Sequence, residues 1–267
     1  MAEAGRAAAD GKPPALGQGW QQRGGLWLLP SASATPRGLI EFIGGSYLAS
    51  SPQLSYKRLL EALSRRGWRV HAWSYVPGFD HQSQAIEAWR SFRRVRVVEG
   101  LVETGQQSNL QQPLALRLLR LGHSLGCKLH LLAPDAGRPI QGLVALSFNN
   151  FSAERSVPFL AEVGQQLGFR SEFSPSPAET LRIVSQTWRQ PRNLLVRFRR
   201  DQLDQSARLL EALRQCPNDA SQLLELTGDH LTPASAGLRR NLLGDWADDP
   251  ARQRQIEHLA DQISAWG

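Results

Sequence analysis

The sequence predicts an α/β fold in which helices cover both faces of a mostly parallel β-sheet. Short apolar runs of strand length alternate with longer amphipathic segments from residue 38 onward. Glycines stand where a strand gives way to a helix, as at Gly44 and Gly122. The chain of 267 residues is also long enough for one large domain with a buried core.

The first predicted strand and helix show the pattern clearly. Residues 38–43, GLIEFI, form an apolar run between glycines, which is typical of a buried strand. Residues 51–67 predict a helix, because Ser51 and Pro52 provide a start and leucines recur on one face. A strand, a glycine turn and a helix therefore follow one another.

The same alternation continues along the chain. Apolar or alternating runs predict five further strands, at 68–75, 114–121, 140–148, 193–198 and 221–226. Helical spacing of apolar residues predicts helices at 81–95, after Ser124, near Ser206 and after Pro250. Connections of this kind place the carboxyl ends of the strands, and the functional groups, at one edge of the sheet.

Two segments interrupt the pattern. Residues 1–18 are small, polar and rich in Pro and Gly, and we expect a disordered leader before a domain at 19–267. Residues 149–192 predict two short helices joined by a Ser/Pro segment, and Ser176 to Glu179 form a capping box. We interpret 149–192 as a lid, whose aromatic and aliphatic side chains either line a pocket or pack on the sheet.

Composition limits the function classes. The formal charge is +7, and all basic residues but Lys12, Lys57 and Lys128 are arginines. The arginine clusters at 90–96 and 197–200 accompany no nucleic-acid motif, so we expect no nucleic-acid partner, although an anionic membrane surface could attract them. Without a signal sequence or a membrane-spanning run, the chain is expected to be cytoplasmic.

The sequence contains no motif that indicates a metal site or a cofactor site. Cys127 and Cys216 are far apart, and neither belongs to a metal-ligand spacing. No nucleotide-binding glycine motif is completed either. We therefore expect no metal and no cofactor.

The segment RLGHSLGCK carries the best candidate for chemistry. Its G-x-S-x-G pattern would be weak evidence alone, but an apolar strand precedes Ser124 and an amphipathic helix follows it. Glycines at 122 and 126 allow the close packing that exposes a serine hydroxyl above a sheet. Ser124 is therefore a candidate nucleophile, and a small-residue turn that happens to contain serine is the alternative.

A serine nucleophile needs a base and an orienting acid. Among the six histidines, only His230 follows the last predicted strand in a loop, at the same edge as Ser124. Asp201 and Asp204 follow the preceding strand; we favour Asp201 as the acid, Asp204 is the alternative, and either could instead cap the next helix. The order Ser124, Asp201, His230 fits a hydrolase.

An oxyanion intermediate needs two amide donors. Leu125, directly after the candidate nucleophile, would supply one, and the glycine turn FIGGSY would supply the other from Gly45 or Ser46. A turn of this kind could also serve only to join strand and helix.

Several motifs together carry a family resemblance over about residues 19–235. The segments GLIEFIGGSY, PGFDH, LGHSLGCKLHLL, FNNFSAERSVPFL, NLLVRFRRDQLDQ and LTGDHLTP resemble a domain-of-unknown-function family of α/β-hydrolase-like proteins from cyanobacteria and plastids. The resemblance implies an α/β-hydrolase fold and a Ser124, Asp201, His230 triad. It implies no substrate.

Other residues lie near the predicted site. We place Tyr47, His123, Asn149 and Phe151 around the substrate pocket. Asp80 and His81 either line that pocket or cap the helix that follows them.

The sequence leaves three functional hypotheses. The first is a serine hydrolase that cleaves a small-molecule acyl ester or thioester, such as a lipid. The second is a non-catalytic protein of the same fold that binds a lipid, a pigment or a protein partner. The third is a basic protein that contacts anionic membranes peripherally. The oligomeric state does not follow from the sequence.

Overall fold

A computed structural model describes residues 19–46, 48–101, 117–138, 140–153, 172–234 and 250–267. The predicted leader 1–18, Tyr47 and residues 154–171 of the predicted lid lie outside the described residues. No helix in the described ranges combines the length and the apolarity needed to cross a membrane.

Eight strands form one sheet. They are β1 (Gln21–Arg23), β2 (Leu26–Leu29), β3 (Gly38–Ile43), β4 (Trp68–Trp73), β5 (Arg117–His123), β6 (Gly142–Leu146), β7 (Asn193–Phe198) and β8 (Gln222–Leu226). Their order across the sheet is β1-β2-β4-β3-β5-β6-β7-β8. The pairs β1–β2 and β2–β4 are antiparallel, and all other pairs are parallel.

Seven helices are described between these strands. They are α1 (Pro52–Ser55), α2 (Lys57–Arg65), α3 (His81–Val98), α4 (Leu125–Leu131), α5 (Pro177–Thr187), α6 (Ser206–Leu213) and α7 (Pro250–Trp266). Asp80 caps α3, since its carboxylate accepts from Ser83 N at 2.8 Å, and Ser176 caps α5 by accepting from Glu179 N. The cap at Ser176 was predicted, and for Asp80 the contact supports capping, one of the two roles that the sequence left open.

The helices cover both faces of the sheet, as predicted. On one face, Leu59 and Leu63 of α2 and Ile256 of α7 pack against Phe42 and Leu121 of the central strands. On the other face, α3 and α4 share a cluster, while α5 and α6 pack against β6 and β7. The inner strands β3 to β7 are mainly buried, which explains their nearly continuous apolar runs, whereas the outer strands β1 and β8 are largely exposed.

Three elements differ from the prediction. The helix expected over 51–67 is broken at Tyr56, whose phenol is fully buried. The strand expected at 114–121 extends to His123, so it passes through Gly122 to the candidate nucleophile. The hairpin of β1 and β2 was not predicted, because three exposed residues followed by four mostly buried ones carry no clear period.

A buried ionic cluster lies among the central strands, under α3. Oε1 of Glu41 in β3 forms an ion pair with Arg96 at 2.9 Å, and its other oxygen lies 3.8 Å from Arg120 of β5. Arg120 in turn binds both oxygens of Asp135. Burial raises the pKa of Glu41 even though Arg96 and Arg120 oppose the shift. The cluster ties β3, β5 and α3 together.

Candidate active site

Ser124 lies between β5 and α4 in a sharply turned backbone. Its φ is 54° and its ψ is −120°, in a region that residues with a side chain rarely adopt. A Cβ at Gly122 would lie 2.6 Å from the amide nitrogen of Cys127, and one at Gly126 would collide with the carbonyl oxygen of Ile43. The two glycines are therefore required by packing, and they allow α4 to start directly behind the serine.

The structure brings Ser124, His230 and Asp201 together from three loops. His230 Nε2 lies 3.1 Å from Ser124 Oγ, and His230 Nδ1 lies 2.8 Å from Asp201 Oδ2. The Asp201 side chain is 0% exposed, whereas that of His230 is 18% exposed. Burial alone would raise the pKa of Asp201, but the hydrogen bond and charge of His230 outweigh it, so the pKa is lowered. Asp201 is thus held as a carboxylate beside the imidazole.

Asp204, the alternative acid, points elsewhere. Its carboxylate accepts from the amide of Ser206 at 3.1 Å and from the Ser206 hydroxyl at 2.7 Å. Burial raises the pKa of Asp204. Of the two aspartates, only Asp201 contacts His230, while Asp204 stabilises the start of α6.

The C-terminal helix holds the loop that carries His230. Arg252 of α7 donates to both carboxylate oxygens of Asp229, at 3.0 and 2.9 Å, and also to Thr232 Oγ1. A bidentate pair of this kind fixes direction as well as distance. This contact was missed in the sequence, since nothing in the spacing links residue 252 to residue 229.

The amides that were expected to bind an oxyanion differ in whether they already have a hydrogen-bond acceptor. The N–H of Leu125 is the first of α4, and no described group accepts from it. The N–H of Gly45 instead donates to Tyr56 Oη at 2.8 Å. The N–H of Gly45 therefore already has an acceptor other than an oxyanion, which corrects the expectation for that residue. Ser46 keeps an amide with no acceptor among the described residues.

His123 lies beside the candidate nucleophile but faces a different partner. Its Nδ1 is 2.8 Å from Tyr56 Oη and its Nε2 is 2.9 Å from the carbonyl oxygen of His230. Because a carbonyl only accepts, Nε2 carries the proton, and the Tyr56 hydroxyl donates to Nδ1. Burial and the charge of His230 lower the pKa of His123 to about 3, so the ring is neutral.

These contacts form a continuous chain from Gly45 N–H through Tyr56 and His123 to the backbone of His230. The role of Tyr56 was missed, because a tyrosine among the leucines of a helix appears in the sequence as one more apolar position.

A cavity of about 360 Å³ opens beside Ser124. Of the residues predicted for the site, Asp201, Asp204 and Asp80 do not line it, and Tyr47 is outside the described residues; the others do. The lining residues are Gly45, Ser46, Leu48, His81, His123, Ser124, Leu125, Lys128, Asn149, Asn150, Phe151, Phe173, Leu203, His230 and Leu231. The cavity is mainly apolar, with polar groups from α3 and α4 at its wall.

Lys128, His81 and Asn150 are the polar lining residues to which the sequence had assigned no definite role. All three are buried. The sequence offered a weak signal for Lys128, which is one of only three lysines and stands one helical turn after Ser124. Among the described residues, no group of three or more acidic, histidine or cysteine side chains gathers that could hold a metal ion.

A family model described as "protein of unknown function (DUF1350)" matches residues 19–251. The chain belongs to the DUF1350 family. A comparison with proteins of curated function found no match.

Solved structures show the same architecture at low sequence identity. A monoacylglycerol lipase from Paleococcus ferrophilus is 14% identical with a TM-score of 0.56, over 91% of this chain and 98% of that one. An esterase domain from Rhodothermus marinus is 15% identical with a TM-score of 0.54, over 90% of each chain. A thioesterase domain from the curacin biosynthetic pathway is 14% identical with a TM-score of 0.52, over 93% and 99%. This DUF1350 protein thus has the α/β-hydrolase fold, as predicted.

Proposed function

We propose that this DUF1350 protein is a serine hydrolase that cleaves an acyl ester or thioester. The observation that carries the proposal is the pair of short contacts that His230 makes, to Ser124 Oγ at 3.1 Å and to Asp201 at 2.8 Å. A serine hydroxyl becomes a nucleophile when an oriented imidazole takes its proton. The strained turn at Ser124 and the lipase, esterase and thioesterase neighbours support the same function.

In the proposed reaction, these residues act in the following order. His230 accepts the hydroxyl proton as Ser124 Oγ attacks the substrate carbonyl carbon. The amides of Leu125 and Ser46 hydrogen-bond the resulting oxyanion. The intermediate collapses by breaking the bond to the alcohol or thiol, which leaves with the proton held by His230. Water then attacks the carbonyl carbon of the acyl-enzyme and gives its proton to His230. The second intermediate collapses by breaking the bond between that carbon and Ser124 Oγ, His230 returns the proton to Oγ, and the carboxylic acid departs.

Asp201 fixes the imidazole in the tautomer that this cycle needs. Because its carboxylate accepts from Nδ1–H, the lone pair of Nε2 faces the serine. The low pKa of Asp201 keeps the carboxylate charged, and the charge stabilises the imidazolium that forms when His230 is protonated.

A fluorophosphonate probe tests the proposal without knowledge of the substrate. We expect wild-type protein to be labelled at Ser124 and Ser124→Ala to remain unlabelled. Ser64→Ala is the control and should remain labelled, since Ser64 is also a buried serine but lies in α2, donates to the carbonyl oxygen of Pro30 and does not line the cavity. If a control esterase is labelled and the wild-type protein is not, the hydrolase proposal fails and the non-catalytic binding hypothesis is favoured.

A further inference from the structure

Lys128 projects from α4 into the wall of the cavity beside Ser124. It is the fourth residue of α4, and a helical side chain leans toward the N-terminus of its helix, where Ser124 lies. The residue is 1% exposed and lines the cavity. A lysine is almost never buried to this extent without a partner for its charge.

Only one of the three N–H groups of the Lys128 ammonium has a hydrogen-bond acceptor among the described residues. Nζ donates to the carbonyl oxygen of Pro175 at 2.9 Å and lies 5.8 Å from the centre of the Phe173 ring. An ammonium has three donors, so two N–H groups remain, and no described carboxylate forms a salt bridge with it.

The two carboxylates that influence Lys128 are exposed and engaged elsewhere. Glu172 accepts from the amide of Phe173, and Glu179 lies 3.8 Å from Arg182. Burial lowers the pKa of Lys128 to about 8, and these glutamates partly oppose the shift. The side chain is therefore mainly an ammonium at neutral pH.

His81, at the start of α3, adds a second polar group at the same wall. It is 2% exposed, its ring lies 4.2 Å from that of Phe173, and neither ring nitrogen makes a hydrogen bond of normal geometry. Burial, and then the charge of Lys128, lower its pKa to about 3, although Asp80 and the backbone of Gly78 oppose the shift. The ring is neutral, so it has one N–H to donate.

We propose that Lys128, assisted by the N–H of His81, binds a carboxylate carried by the substrate, so that the preferred substrate is an ester or thioester of an acyl group with a free carboxylate. This specificity rests on the proposed hydrolase function. A substrate carboxylate would supply the charge partner that Lys128 lacks among the described residues, on the wall of the cavity that Ser124 also lines. The apolar remainder of the cavity would hold the chain between the two groups.

A pair of chromogenic esters tests the specificity. We expect wild-type protein to hydrolyse p-nitrophenyl hemisuccinate with a higher kcat/KM than p-nitrophenyl butyrate. Lys128→Met should lower kcat/KM for the hemisuccinate by about 10- to 100-fold, as expected for loss of a hydrogen bond to a charged group, and leave the butyrate within about threefold. Lys57→Met, which removes the same charge from the exposed surface of α2, should change neither.

A binding measurement separates this proposal from the proposed function. Calorimetric titration of Ser124→Ala with N-butyl succinamate, an uncleaved half-amide, should show tighter binding than titration with neutral N-butyl butyramide. The preference should disappear in the Ser124→Ala, Lys128→Met double variant.

The hydrolase function and the carboxylate site can be contradicted independently of each other. Binding preference for the succinamate without hydrolysis of either ester would overturn the hydrolase function but support the carboxylate site. Hydrolysis of both esters with no preference in wild-type protein, together with equal binding of the two amides, would overturn the carboxylate site alone. If Lys128→Met does not fold, the wild-type rate ratio and the Ser124→Ala titration still decide.

Discussion

At the scale of single residues, the site depends on which partner each polar atom has. Asp201 and Asp204 are three residues apart in the same loop, yet one carboxylate contacts His230 and the other contacts Ser206. Chain order alone allowed either aspartate to be the acid, and only the hydrogen bonds distinguish them.

Replacing Asp201 should therefore lower the rate far more than replacing Asp204. We expect Asp201→Asn to lower the rate of ester hydrolysis by about 10⁴-fold, because asparagine favours the wrong imidazole tautomer. Asp204→Asn should leave the rate within a few-fold. Steady-state hydrolysis of a chromogenic ester measures both, with circular dichroism to verify folding. A large loss in Asp204→Asn with an active Asp201→Asn would reverse the assignment.

The sequence identified Ser124, His230 and Asp201 as a set because their positions relative to strands can be read locally. The partners of Gly45, Tyr56 and His123 could not be predicted in the same way. Gly45 and Tyr56 are 11 residues apart, Tyr56 and His123 are 67 apart, and their contacts depend on where a helix breaks. Lys128 was not considered as a site residue in the sequence, because its burial in the cavity wall and the absence of a described carboxylate partner are visible only in three dimensions.

At the scale of elements, the junction of β5 and α4 is set by how closely α4 approaches β3. The backbone of Gly126 packs against the carbonyl of Ile43 at the end of β3, so there is no space for a side chain. This contact also brings the amide of Leu125 near the turn that carries Ser46.

A methyl group at this contact should therefore be costly. We expect Gly126→Ala to lower the free energy of unfolding by about 1–3 kcal/mol or more, since the colliding group is backbone and cannot rotate away. Urea unfolding followed by fluorescence would measure the change. Gly25→Ala is a suitable control, because the nearest atom to its Cβ would be 3.6 Å away. Equal stability of the two variants would show that α4 can shift without penalty.

Most parallel strands and the first residues of α3, α5, α6 and α7 followed from the sequence, because their apolar runs, caps and prolines are local signals. The break at Tyr56 did not, since residues 51–67 carry a helical pattern throughout and tertiary contacts of the phenol override it. The central strands also contain Glu41 and Arg120, which the apolar pattern gave no reason to pair.

At the scale of the whole molecule, several histidines are buried in the neutral form. Burial lowers the pKa of His81 and His123 to about 3 and that of His130 well below its ordinary value of 6.5. In the unfolded chain these rings take up protons near pH 6.5. The unfolded state thus binds more protons than the folded state in the acidic range.

Stability should consequently decrease as the pH falls from about 6.5 toward 3. Within this window, each buried histidine lowers the free energy of unfolding by about 1 kcal/mol for each unit by which the pH falls. Above pH 6.5 the ring is neutral in both states, and this loss does not occur. Urea unfolding at pH 7.5, 6 and 5 would measure the slope. His81→Phe keeps a ring against Phe173 but cannot titrate, so it should reduce the slope, whereas His258→Asn at an exposed position should not. An unchanged slope in His81→Phe would contradict the assignment for that residue.

The hydrogen bonds from Gly45 through Tyr56 and His123 to the backbone of His230 connect four parts of the chain: the turn after β3, the junction of α1 and α2, the end of β5 and the loop after β8. Displacement of any one of these parts would break a buried hydrogen bond and leave a polar group without a partner. We therefore expect the four parts to move together. Any motion that the proposed hydrolysis requires is expected in segments outside this chain of hydrogen bonds.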